Sequence, residues 1–256
     1  MNTLSVTIRE KVAIIALNRG KSNAMNAELV KELKSLIKNI EQDDQILGAI
    51  LTGKEGFFTA GLDLIELYGY DENQIKSFWV DFLDLVKTLT LFKKPLVAAI
   101  SGHSPAGGCV MALCCDYRVM AEGKYIIGLN EVPVGIIVPD SIFHLYAFWL
   151  GQAKAYQSLL EGKLFSVDEA KQIGLLDATS DISSLMSHAQ KKIQSYLQYD
   201  ATTWQQSKLN LRKELIAKVS ADQTSTLDIM LKQWWAPSTR SILKTIIENL
   251  KGGGSK

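Results

Sequence analysis

The chain has 256 residues, 47% of them hydrophobic and 21% charged, with a formal net charge of +1. This size and composition suit one large globular domain, or a core with a small helical appendage. The near-neutral balance gives no global field for nucleic acid or a membrane surface, and charged residues interrupt every apolar run before transmembrane length.

Residues Leu4–Arg9 and Val12–Leu17 alternate around a tight turn at Glu10 and Lys11 and predict a hairpin. The N-terminus therefore reads as a strand, not as a targeting segment, and a cytoplasmic location is the expectation. Apolar positions 29, 30, 33, 36, 37 and 40 have helical spacing, so a helix is expected over 27–43 with Asn26 as its N-cap. A short buried strand is expected at 46–52, a second amphipathic helix at 74–91 and a strand at Leu96–Ile100. A Gly/Ser/Pro turn leads into a short helix from Gly107, and strands are expected at Tyr117–Ala121 and 125–128. From Asp140 onward the pattern is helical: 140–149, 152–161, 167–173, 182–198, 201–218, 222–234 and 237–250. Alternating strands and helices followed by helices alone predict an α/β core with a helical C-terminal region. The late helices carry Trp204, Trp234 and Trp235, which pack either on a neighbouring subunit or on the chain's own core. Residues Gly252–Lys256 read as a flexible tail and are set aside.

Several apparent motifs fail on chemistry. Residues 48–55 approach a phosphate-binding GxxxxGK[ST] loop, but Glu55 stands where a hydroxyl is required and 49–52 read as strand. Gly102-His103-Ser104-Pro105-Ala106 imitates a nucleophile elbow, yet Pro105 has no N–H to donate to an oxyanion. His103, His144 and His188 are scattered, and Cys109, Cys114 and Cys115 lack metal-ligand spacing. No metal is implied, and the cysteines read as a reduced thiol set.

Two junctions remain, Ala60-Gly61-Leu62-Asp63-Leu64 and Ala106-Gly107-Gly108-Cys109, each with small residues where backbone N–H groups can approach a ligand. Two such donors converging on one oxygen make an oxyanion hole. Glu131 follows in a long apolar stretch, where a carboxylate is costly to bury and slow to ionise. By itself Glu131 reads equally as a capping or ion-paired acid.

In order, Ala-Gly-Leu-Asp-Leu at 60–64, Pro-Ala-Gly-Gly-Cys at 105–109 and Ile-Gly-Leu-Asn-Glu at 127–131 resemble the crotonase (enoyl-CoA hydratase/isomerase) family. The resemblance spans roughly residues 4–250 and is strongest to the mitochondrial-type Δ3,Δ2-enoyl-CoA isomerase subgroup. It implies a crotonase-like spiral of ββα turns over 1–199 and a helical trimerisation region over 200–251. It implies a homotrimer or dimer of trimers and an acyl-CoA substrate, with coenzyme A as part of that substrate and no separate cofactor. The Leu62 and Gly107 N–H groups would hold the thioester oxygen. Asn23, Ala24, Met25, Ala60, Gly61, Asp63 and Leu64 would line the coenzyme A site.

Within that resemblance, hydratases use a second glutamate three residues after the oxyanion-hole glycine, where this chain has Val110. Hydration needs water activated and a proton delivered, and valine does neither. Moving a double bond from C3 to C2 needs one base that reaches both C2 and C4. Glu131 is the expected base, with Asn130 positioning the thioester. A related acyl-CoA lyase or decarboxylase and a non-catalytic acyl-CoA-binding protein are the alternative readings. Tyr68, Trp79, Phe82, Ile137 and Phe143 are candidates for an acyl pocket, and Asp140 for either a second acid or a helix N-cap.

Overall fold

The structure, a computed structural model, describes residues 1–252, and the rest of the tail lies outside the described residues. Strands β1 (Leu4–Arg9) and β2 (Val12–Leu17) form the expected hairpin and open a six-stranded sheet. It continues in parallel through β3 (Gly48–Thr52), β5 (Leu96–Ile100), β7 (Tyr117–Ala121) and β10 (Ala178–Ser180). A second sheet is built from β4 (Gly56–Phe57), β6 (Gly102–Pro105), β8 (Ile126–Gly128) and β9 (Leu164–Ser166). Each of β3–β4, β5–β6 and β7–β8 therefore places one strand in each sheet before a helix follows, which is the spiral of ββα turns.

All residues of β3 and β5 are buried, as expected of parallel strands covered on both faces. Their side chains alternate between two cores. Ile50, Val97, Ala99 and Val119 pack on Leu185, Ala189 and Ile193 of α8 (Ile182–Leu197). Ala49, Leu51, Leu96, Ala98 and Met120 face the larger core of α1 (Ala27–Gln42), α3 (Glu72–Leu91) and α4 (Gly107–Cys114). Asn26 caps α1 as expected, accepting from the Leu29 N–H at 3.0 Å. Helix α3 starts at Glu72 rather than 74 because Asp71 and Gln74 close a reciprocal capping box.

The second half is less purely helical than its sequence pattern. Besides α5 (Asp140–Leu150), α6 (Gln152–Glu161) and α7 (Val167–Gln172), it supplies β9 and β10. The expected helix over 201–218 is two, α9 (Ala201–Leu211) and α10 (Lys213–Ser220), broken at Arg212. The break lets Lys208 and Arg212, both buried, reach one carboxylate: Asp116 accepts from Lys208 Nζ at 2.8 Å and pairs with Arg212 at 3.0 Å. Asp116 also accepts from the Leu96 N–H at 2.8 Å, so it joins the sheet to the C-terminal helices. Helices α10 and α11 (Thr224–Trp234) lie on α3, and α12 (Pro237–Gly252) lies on α11 and on the short α2 (Leu64–Leu67). Trp234 is buried in the chain's own core, and Trp204 and Trp235 are half-buried.

Asp116 answers two buried cations, and removing it would leave both unpaired. Asp116→Ala is therefore expected to lower the free energy of unfolding by about 3–5 kcal/mol, read from urea denaturation. An unchanged midpoint and slope would mean the cluster contributes nothing to holding the C-terminal helices.

Candidate active site

Two loops meet at the carboxyl ends of the inner strands. The first, before α2, is bracketed from below by Asn23, which is fully buried. Its side chain accepts from the Arg19 N–H and donates to Phe58 O at 3.1 Å, while Thr59 Oγ1 donates to Asn23 O at 2.7 Å. Met25 then makes a parallel bridge with Leu62: its N–H donates to Gly61 O and its carbonyl accepts from the Asp63 N–H. In that register the Leu62 N–H points away from the bridge and has no partner among the described residues. Gly61 sits at φ +85°, and a Cβ there would meet Ala106 Cβ at 3.0 Å and Pro105 O at 3.2 Å. Glycine is required for this approach of the two loops.

The second loop turns from β6 into α4 through Ala106, which has φ +49° and ψ −121°. Such a backbone is strained for alanine. The Ala106 N–H donates to Gly128 O at 2.8 Å, and the Gly107 N–H that follows has no partner among the described residues at the helix start. Leu62 and Gly107 thus expose two donors from touching loops.

A cavity of about 90 Å³ opens beside them, lined by Ala60, Leu62, Leu64, Pro105, Ala106, Asn130, Glu131, Val134 and Ile136. Glu131 is its one acid among the described residues. The residue is 8% exposed, and its Oε2 has no hydrogen-bond partner. Burial raises the carboxyl from the usual range to about 7, opposed only by a hydrogen bond from its own backbone. A group with that value both accepts and releases protons near neutrality.

Of the residues singled out in the sequence, Ala60, Leu62, Leu64, Asn130 and Glu131 line the cavity. Gly61 and Gly107 are not among the lining residues; they lie against each other where the two loops touch, a Cβ on Gly61 coming within 3.6 Å of the Gly107 nitrogen. Asn23 and Met25 are fully buried and brace the first loop from behind, and Ala24 is half-buried, its carbonyl accepting from Arg19. Asp63 caps α2 and pairs with Arg19 at 2.7 Å. The apolar wall comes from Val134 and Ile136. Trp79 and Phe82 are core residues, while Ile137 and Phe143 line a separate groove. Asp140 is neither the N-cap of α5, which is Pro139, nor a wall of the Glu131 cavity. It is mostly exposed and lies 3.5 Å from His144.

Val110 is fully buried in the core, and among the described residues no second carboxylate lines the cavity. Ser104 of the imitation elbow is buried within β6, and His103 Nδ1 accepts from the Ile126 N–H, a structural role. Sequence reasoning missed Arg19, which ties Asp63 and Glu66 to the hairpin, and Tyr146. Tyr146 is fully buried on α5 with an unpartnered hydroxyl, and burial, then the neighbouring Cys109 and Glu131, push its pKa up. Cys109, two residues beyond Gly107, is also fully buried, and burial and the Glu131 charge hold its thiol protonated.

Residues 7–242 match the enoyl-CoA hydratase/isomerase family. The chain is 35% identical over 246 residues to mouse mitochondrial enoyl-CoA delta isomerase 1, covering 94% of this chain and 84% of that protein. It is 32% identical over 193 residues to a Clostridium acetobutylicum short-chain-enoyl-CoA hydratase, covering 75% and 74% respectively. The crystal structure of human mitochondrial Δ3,Δ2-enoyl-CoA isomerase superposes with a TM-score of 0.94 at 29% identity, over 98% of this chain and 99% of that one.

Glu131 has a raised native pKa, so ionising it costs folding energy. That cost is absent below the unfolded value and complete above about 7. The melting temperature of Glu131→Gln minus that of the wild type should therefore increase from pH 5 to pH 8. A difference that is flat with pH would contradict the raised value.

Proposed function

We propose that this chain, a member of the enoyl-CoA hydratase/isomerase family, is an enoyl-CoA isomerase that moves a double bond from C3 to C2 of a fatty acyl-CoA. The observation that carries this reading is Glu131 as the lone carboxylate, among the described residues, on a cavity that Leu62 also lines, beside the touching loops that expose the unpaired Leu62 and Gly107 N–H groups. Val110, in the core, supplies no second acid for adding water.

In this mechanism the thioester oxygen accepts from the Leu62 and Gly107 N–H groups. Ionised Glu131 removes a C2 proton, and the electron pair spreads through a dienolate onto the thioester oxygen. The two donors stabilise that charge as it forms, an effect worth about 10²–10³ in rate per donor. Glu131, now protonated, returns the proton at C4, and the double bond settles between C2 and C3. No proton is gained or lost overall. The apolar wall of Val134 and Ile136 keeps water from exchanging with the shuttled proton. Ala60 and Leu64 line the approach of the coenzyme A thioester, and Asn130 lies beside Glu131 to orient it.

The reading extends to a homotrimer or dimer of trimers. Exposed Tyr156, Leu160, Leu211 and Ile229 on the helical half support it as apolar surface suited to subunit contact. Sedimentation at the monomer mass would remove that part alone.

Wild-type protein given a 3-enoyl-CoA should produce conjugated 2-enoyl-CoA, followed by its absorbance. Its kcat/KM should rise with pH to a plateau with a midpoint near 7, because the ionised carboxylate is the active form. Glu131→Gln should lose about a thousandfold in rate while still binding coenzyme A. Equal turnover by the two proteins would reject the shuttle. Hydration of 2-enoyl-CoA at a comparable rate would favour a hydratase, cleavage or decarboxylation of an acyl-CoA would favour a lyase, and binding without any turnover would favour a carrier role.

A further inference from the structure

The turn that carries Glu131 closes on its own backbone. The Glu131 carbonyl accepts from the Val134 and Ile136 N–H groups, and the Gly135 N–H donates to Val132 O. Val132 and Pro133 at its outer end are exposed. From elsewhere, Gly162 at the end of α6 packs against Pro133, and a side-chain hydrogen bond comes from the first turn of α12, about a hundred residues away in sequence. There Thr239, 1% exposed, donates from Oγ1 to Gly135 O at 3.1 Å, and Gln233 donates to the same hydroxyl at 2.8 Å. Gly135 has φ +80°, and a Cβ on it would meet Thr239 Oγ1 at 3.1 Å and Cγ2 at 3.3 Å. The turn and the helix are fitted backbone to side chain.

The next residue of α12 holds the other loop. Arg240 Nη2 donates to the carbonyl of Tyr68 at 3.0 Å, and its guanidinium lies 3.4 Å from the Tyr68 ring centroid and 4.9 Å from that of Trp235. Tyr68 is the C-cap of α2, the helix that begins two residues after Leu62. Adjacent side chains of one helical turn therefore hold the base-bearing turn and the far end of the donor-bearing loop.

We propose that the first turn of α12 is a clamp on the catalytic site, in which Thr239 and Arg240 are positioning residues that fix the separation of Glu131 from the Leu62 and Gly107 donors. This inference rests on the isomerase reading above. A single base serving C2 and C4 has to sit within reach of both carbons, and a shift of about 1 Å can cost a hundredfold in rate. Loss of the clamp loosens the base without touching the surface that binds coenzyme A, so kcat falls while KM holds.

The test combines kinetics on 3-enoyl-CoA with amide hydrogen exchange at Val134 and Ile136 in the full chain. Thr239→Val should lower kcat by about tenfold or more with KM nearly unchanged, and should speed exchange of both amides. Thr239→Ser should restore both readouts. Gln233→Leu, which leaves α12 intact, should shift both in the same direction by less and guards against misfolding of the valine variant. Wild-type kcat in Thr239→Val, unchanged exchange, or a serine variant as impaired as the valine one overturns the clamp. If the wild type turns over no 3-enoyl-CoA, the isomerase reading has failed and the exchange readout alone decides whether Thr239 holds the turn.

Discussion

The constraint on which the rest depends is that two backbone N–H groups, of Leu62 and Gly107, stay unpaired inside a folded protein. Buried donors without partners are costly, and folds ordinarily pair them. Here the bridge between Met25 and Leu62 uses the bonds on either side and leaves the middle one pointing outward. Strain at Ala106 does the same for Gly107 at the start of α4. The buried bracket of Asn23, Thr59 and Phe58 keeps the first loop from relaxing into a self-satisfied turn. Stability spent on these donors is recovered in the large core beneath them, where β3, β5 and α4 are buried throughout.

Much of the architecture was legible in the sequence because its larger elements state their environment locally. The uninterrupted apolar runs of β3 and β5 and the helical spacing of α1 and α3 depend on burial that each segment carries in its own pattern. The strands β4, β6, β9 and β10 were not legible. They are two to four residues long and exist only by pairing with strands distant in sequence, such as Gly56 with Gly102 and Ile127 with Phe165. The break at Arg212 was hidden for a related reason. Nothing near it disfavours helix, and the turn is set by Asp116 nearly a hundred residues earlier.

The site was legible through residues whose chemistry is conspicuous against their surroundings. Glu131 stands out in an apolar run, and the small-residue junctions mark where backbone can reach a ligand. Asn23, Met25 and Asp63 lay in the right segment, but their side chains support the site from behind rather than face the cavity. Spacing alone cannot tell a residue that lines a cavity from one that braces its wall. Thr239, Arg240 and Tyr146 carry no local signal, since a threonine, an arginine and a tyrosine on late amphipathic helices look like ordinary helix residues.

The burial of Cys109 has a chemical consequence of its own. The product of the proposed reaction, a conjugated enoyl thioester, is an electrophile that adds thiolates at its β-carbon. Cys109 lies two residues from the Gly107 donor, so an ionised thiol there would threaten the protein with alkylation by its own product. Full burial and the neighbouring Glu131 charge keep that sulfur protonated, and a thiol is a far weaker nucleophile than a thiolate. The same desolvation that makes Glu131 a usable base at neutral pH leaves the adjacent cysteine inert.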